Sequence, residues 1–191
     1  MYLFFDTETT GLPKNWKAPV SDVDNWPRMV QLAWLLYNKK GEKIDSKNFI
    51  IKPENFEIPL QSSNIHGITT EKAYREGDDL TYVLVLFSDY INKATNLIAH
   101  NMQFDEKIIG AEFIRKKIKN KLFLKNRICT MISSVDYCGI KGKHGLKWPS
   151  LSELHIKLFN KDFEDAHDAF ADISATADCF WKLKNLKIIS G

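Results

Sequence analysis

Apolar residues in this chain fall first in short unbroken runs and later at helical spacing. Residues 2–5 form a four-residue apolar run closed by Asp6, too short for a helix, which predicts a short buried strand. Met29–Tyr37 (Met-Val-Gln-Leu-Ala-Trp-Leu-Leu-Tyr) is longer, mostly apolar and free of proline, which predicts a central strand. Asn38-Lys39-Lys40-Gly41 reads as a turn, and residues 47–52 as a third strand. These three would form an antiparallel meander. The period then changes. Residues 69–75 predict a short helix after a turn at His66-Gly67, and Leu80–Lys93 carries Val83, Leu84, Leu86, Phe87, Tyr90 and Ile91 close to helical spacing. Residues 97–99 predict a strand and 105–118 a helix with Ile108, Ile109 and Phe113 inward. Residues 128–131 predict a last strand, and Leu151–Phe159 and 169–183 the closing helices. Strands first, then strand and helix in alternation, predict an α/β fold with a mixed central sheet flanked by helices.

Residues 13–28 fit no element. They hold Trp16, Trp26, Pro19 and Pro27. A loop of this length is uncommon unless it is functional or disordered, although its tryptophans would also serve simply to pack it on the domain.

Composition narrows the class without naming a function. A chain of 191 residues suits one domain, residues 1–191, with a sizeable core, and 44% hydrophobic content with 27% charged residues is ordinary for a globular protein. The net charge of +3 is too mild to argue for nucleic acid. Locally basic stretches at 115–125, at 141–147 and around Lys182, Lys184 and Lys187 are compatible with solvated surface. Three cysteines, Cys129, Cys138 and Cys179, include no C-x-x-C pair, so zinc and a disulfide framework are disfavoured and a reduced, cytoplasmic setting is expected. No signal-peptide pattern and no apolar run near the ~20 residues of a membrane helix is present, so no membrane partner is expected.

The candidate chemistry lies in five separated residues: Asp6, Glu8, Asp105, His167 and Asp172. Asp6 and Glu8 are two apart directly after an apolar run, so on an extended chain they share a face. Thr9-Thr10-Gly11-Leu12 follows, a turn in which glycine lets a ligand approach the backbone. Paired carboxylates repel unless a cation sits between them. Asp105 follows a predicted strand end, where open sheets place ligand sites, yet it also suits a helix N-terminus for dipole reasons alone. His167 and Asp172 are about 140° apart on a helix, so they meet only if His167 belongs to the preceding loop. Each feature alone has an ordinary structural explanation; together they suit a carboxylate site for magnesium or manganese.

The joint motif set Asp6-Thr-Glu8-Thr-Thr-Gly, His100-Asn-x-x-Phe-Asp105 and His167-x-Ala-x-x-Asp172 resembles the three motifs of DEDDh-type 3′-to-5′ exonucleases, of the flavour of the polymerase III proofreading epsilon subunit and its stand-alone relatives. Ile65-His66-Gly67-Ile68-Thr69 resembles a further segment of that family. The resemblance implies an RNase H-like fold and removal of nucleotides from 3′ ends as 5′-monophosphates. It implies two divalent cations, Mg²⁺ or Mn²⁺, held by Asp6, Glu8, Asp105 and Asp172, with His167 as the general base for water. It also implies contacts to the terminal nucleotide from Thr7, Thr9, Leu12, Ile65, His66, Asn101 and Phe104, with Leu12 as an apolar wedge. His66 would alternatively cap the helix at Thr69. The glycine-rich basic loop at 139–145 would touch the nucleic-acid backbone through Lys141, Lys143 and His144. The expected partners are 3′ ends, single-stranded DNA before RNA, and a polymerase. An RNA-trimming enzyme of the same family and a non-catalytic binding module remain the alternatives.

Overall fold

A computed structural model describes residues 1–164 and 166–189. Its element order is β1 (Tyr2–Thr9), β2 (Met29–Tyr37), β3 (Lys43–Ile50), α1 (Leu60–His66), α2 (Thr70–Glu76), α3 (Leu80–Lys93), β4 (Asn96–Ala99), α4 (Met102–Arg115), β5 (Asn126–Cys129), α5 (Thr130–Ser133), α6 (Val135–Cys138), β6 (Lys141–Gly142), β7 (Gly145–Leu146), α7 (Leu151–Phe159) and α8 (Ala169–Asn185). The main sheet has the order β3-β2-β1-β4-β5. The expected meander is present, since β1 and β3 both pair antiparallel to β2. β4 and β5 extend the sheet in parallel.

Strand periodicity divides the core into two layers. Leu3 and Phe5 face one side, with Trp34, Phe87 and Phe113 in the cluster under α3 and α4. Tyr2 and Phe4 face the other, with Leu35, Ile98, Ile173 and Phe180 under α7 and α8. Phe4 meets Phe180 edge-on at 5.2 Å between ring centroids, a favoured aromatic arrangement. Among the described residues no helix is long and apolar enough to cross a membrane.

Several expected boundaries move, each for an identifiable reason. β1 runs to Thr9 rather than ending at Phe5, because backbone pairing with β2 continues under the polar residues, with Asp6 opposite Ala33 and Glu8 opposite Gln31. β3 begins at Lys43 instead of residue 47, an edge strand whose polar Lys43 and Asp45 hid it. Ile51 lies beyond the strand, bridging to Asp78 while its N–H donates to the Val30 carbonyl at 2.8 Å. α4 starts at Met102, so Asp105 lies in its first turn rather than at its start, and it stops at Arg115, just before Lys117 takes φ 54°. The last sheet strand is Asn126–Cys129, and Met131 already belongs to α5. α1 was not expected, since Gln61-Ser62-Ser63-Asn64 gives it little apolar pattern. Residues 13–28 contain one 3₁₀ turn, Val23–Asn25.

Candidate active site

The same periodicity that sorts the core assembles the site. Continuing β1 past Phe5 sends Asp6 and Glu8 to the α8 side and Thr7 and Thr9 to the α4 side. On the α8 side, one carboxylate oxygen each from Asp6, Glu8 and Asp172 lies within 4.8 Å of the others. On the α4 side, Asp105 Oδ1 accepts from both the Thr7 backbone N–H (3.1 Å) and the Thr7 hydroxyl (2.7 Å). One strand therefore carries both halves of the site, at the C-terminal ends of β1 and β4, where open sheets bind ligands.

The start of α8 fixes Asp172. Asp168 caps the helix, accepting from the backbone N–H groups of Phe170 (2.9 Å) and Ala171 (3.0 Å). Gln31, buried on β2 directly opposite Glu8, braces that cap. Its Nε2 donates to Asp168 Oδ2 (3.1 Å) and Asn48 Oδ1 (2.9 Å), and its Oε1 accepts from Ala169 N–H (3.3 Å). His167 precedes the cap with φ 73° and an exposed side chain. Its backbone N–H donates to both oxygens of Asp172 at 3.3 Å. As the sequence required, His167 is outside the helix and beside Asp172. On the opposite side, Asn101 enters α4 with φ 118°. Two non-glycine residues in the left-handed region thus flank the site, where such strain tends to collect.

The acids disturb one another. Burial, then the charges of Asp105, Asp172 and Glu8, holds the Asp6 carboxyl well above the usual carboxylate range. Burial, with Asp172 and Asp105 nearby, pushes Glu8 up to about 8. Burial raises Asp172 to about 6 against the opposing His167 N–H bond, and Asp105 to about 7 against the Thr7 bonds. Carboxyls this reluctant to ionise, with oxygens this close, fit a hard divalent cation that would relieve the crowding.

Beside the acids lies a cleft of about 260 Å³ lined by Thr7, Glu8, Thr9, Gly11, Leu12, Ser62, Ile65, His66 and Phe104. It gathers six of the seven expected nucleotide-contacting residues. Leu12 and Ile65 project from it as exposed apolar side chains, 72% and 59% accessible, so Ile65 is not core. Thr7 lines the cleft, but its hydroxyl is engaged with Asp105, and the Thr9 hydroxyl donates to the Gly11 carbonyl at 2.7 Å. His66 ends α1 and does not cap α2; Thr69 does, accepting from Lys72 N–H. His66 Nδ1 accepts from Ile68 N–H at 3.1 Å, so Nε2 carries the proton. That buried Nε2 has no hydrogen bond among the described residues, although the Thr9 carbonyl is near enough to influence the ring. Burial also holds its pKa below the usual value. Asn101 is absent from the cleft lining and its side chain does not cap α4. Lys141, Lys143 and His144 are exposed on the small β6–β7 hairpin.

Residues 3–180 match the RNase_T exonuclease family. The chain belongs to that family. The DEDDh-type resemblance drawn from the three motifs is thereby borne out. PolC-type DNA polymerases III of Listeria welshimeri serovar 6b and Listeria monocytogenes serovar 1/2a are each 30% identical to it over 184 residues. That alignment covers 95% of this chain but spans only 11% of those polymerases. Among solved structures, E. coli exonuclease I in complex with a dA16 oligonucleotide superposes with a TM-score of 0.72 at 19% identity, covering 98% of this chain and 42% of that one. The zinc-ion-bound form of the same enzyme with single-stranded DNA gives 0.75 at 20%, covering 98% and 41%. At these identities the likeness is one of fold, and the mixed sheet with helices on both faces is RNase H-like.

Sequence reasoning missed Gln31, Asp168, Ser62 and the place of Trp16. Gln31 had a visible signal, as the one polar side chain inside the apolar run of β2.

Proposed function

We propose that this chain is a metal-dependent 3′-to-5′ exonuclease that acts on single-stranded or frayed DNA ends and releases 5′-mononucleotides. The observation that carries the reading is the convergence of Asp6, Glu8 and Asp172 within 4.8 Å, beside a cleft with exposed apolar walls. In this reading Asp6, Glu8 and Asp172 hold one divalent cation, Mg²⁺ or Mn²⁺, and Asp6 with Asp105 supports a second. Such cations supply charge neutralisation at the scissile phosphate and a more acidic attacking water. His167 accepts the proton of that water, a role its place beside Asp172 permits. Thr7 keeps Asp105 in position from the opposite face of the strand. Leu12, Ile65 and Phe104 give the terminal base and sugar an apolar seat. The His66 Nε2–H, which has no hydrogen bond among the described residues, donates to the nucleotide. Likeness to PolC-type polymerases and to exonuclease I supports DNA as substrate and a polymerase as partner.

The test is degradation of 5′-labelled single-stranded DNA and matching RNA with Mg²⁺, Mn²⁺ or chelator, beside Asp6→Ala. A metal-dependent ladder shortening from the 3′ end of DNA, absent in the variant, is expected. Faster loss of RNA would replace the DNA assignment, and no shortening in any metal would overturn the enzyme.

A further inference from the structure

Residues 13–28 are a built loop. The Asn15 N–H donates to Asn25 Oδ1 (2.7 Å), and Asn25 Nδ2 returns a bond to the Asn15 carbonyl (3.0 Å). Lys107 Nζ holds the carbonyls of Trp16 (3.2 Å) and Ala18 (3.4 Å), and Arg115 Nη2 holds those of Val23 (2.5 Å) and Trp26 (2.7 Å). α4 therefore clamps the loop through its main chain. The two tryptophans then have opposite fates. Trp26 is buried, its indole N–H bonded to the Pro19 carbonyl (3.1 Å). Trp16 stays 44% exposed, with its ring against Phe104 at 5.7 Å between centroids. Phe104 is a wall of the cleft beside the acids, so Trp16 prolongs that wall outward. Exposed Lys14 and Lys17 flank it. An indole held by its backbone, partly bared, continuous with the cleft and bracketed by cations, has the chemistry that single-stranded nucleic acid needs: a π-face for a base and positive charge for phosphates.

We propose that Trp16 is a stacking platform for a nucleobase of the strand entering the cleft, a contact additional to those that seat the terminal nucleotide. It rests on the exonuclease reading for the strand's direction but concerns a separate binding surface. The indole is not part of the loop's hydrogen-bonded frame, so its removal should leave the loop in place.

Kinetics on a ten-residue oligothymidylate test it, with Trp16→Ala and Trp16→Tyr. Base stacking on an aromatic ring is lost at about 5- to 20-fold in affinity when the ring is partly exposed. Trp16→Ala should raise KM by that factor with kcat unchanged, and Trp16→Tyr should restore most of it. Hydrolysis of the single-base ester p-nitrophenyl thymidine 5′-phosphate should be unaffected. A fluorescence titration provides a readout independent of turnover. In an Asp6→Asn, Trp148→Phe background, Trp16 is the most exposed tryptophan, and the oligonucleotide should quench it. Degradation of DNA with equal KM for wild type and Trp16→Ala, and no quenching, would overturn the platform and leave the exonuclease standing. Quenching without degradation of any strand would support the platform and remove the exonuclease. Neither degradation nor quenching would remove both.

Discussion

Glu8→Gln turns the crowding of the acids into a measurable quantity. Glu8 stays protonated up to about pH 8, against an ordinary value of 4.5, and burial is the largest cause. A carboxyl raised in the folded state costs nothing below its unfolded pKa, where both states are neutral. The cost grows as pH rises from about 4.5 and is complete above about 8. Fully charged, the shift would correspond to on the order of 5 kcal/mol. Glu8 retains contact with solvent, so screening removes roughly half, leaving about 2 kcal/mol. For a domain of this size that is a change of about 4–8 °C in Tm. In chelator at pH 8.5, Glu8→Gln should therefore melt about 4–8 °C above the wild-type protein, and the two should coincide near pH 4. Adding Mg²⁺ should raise the wild-type Tm and close the gap, since a ligand of the folded state stabilises it by mass action. Thermal melts at the two pH values, with and without Mg²⁺, are sufficient. A variant no more stable than wild type at pH 8.5 in chelator would refute the electrostatic argument.

Other substitutions separate the roles of the site from those of its supports. His167→Ala should lower kcat by roughly 10²- to 10⁴-fold with little change in KM, as loss of a general base does; a change confined to KM would make it a binding residue. Gln31→Leu removes the brace on Asp168 and Ala169 and should lower kcat by about 10- to 100-fold through misplacement of Asp172 and His167, and it should raise the Mg²⁺ concentration for half-activity, both read in a metal titration of initial rates. Glu112→Ala should be costly to stability. This buried carboxylate accepts from Arg28 Nε (2.9 Å) and Met29 N–H (3.1 Å) and pairs with Arg115 (2.9 Å). Breaking it should remove about 3–5 kcal/mol in urea denaturation.

The strongest sequence signals were those with a long period. Leu80–Lys93 and Leu151–Phe159 were legible to the residue because amphipathic helices write their bounds in apolar spacing and caps. The site's acids were legible because three separated motifs agreed in residue type and order. What the pattern could not carry was pairing between distant segments. β1 continues through Asp6, Thr7 and Glu8 because β2 lies beside it, a fact with no local trace. Thr7 lines the cleft where a nucleotide contact is expected, but no local signal announces that its hydroxyl also holds Asp105, 98 positions away. Loop 13–28 looked irregular because its order comes from side chains of α4 bonding its carbonyls, and such contacts leave no period.

The division of β1 between two layers has a consequence for how activity is gained and lost. Its α8 side needs Asp172 delivered by one packed layer, and its α4 side needs Asp105 delivered by the other. The site therefore behaves as a logical conjunction of two docking events. A molecule with either layer detached would lack one of the acids. During refolding, activity should return at the pace of the slower layer, so turnover reports the completed molecule rather than either half.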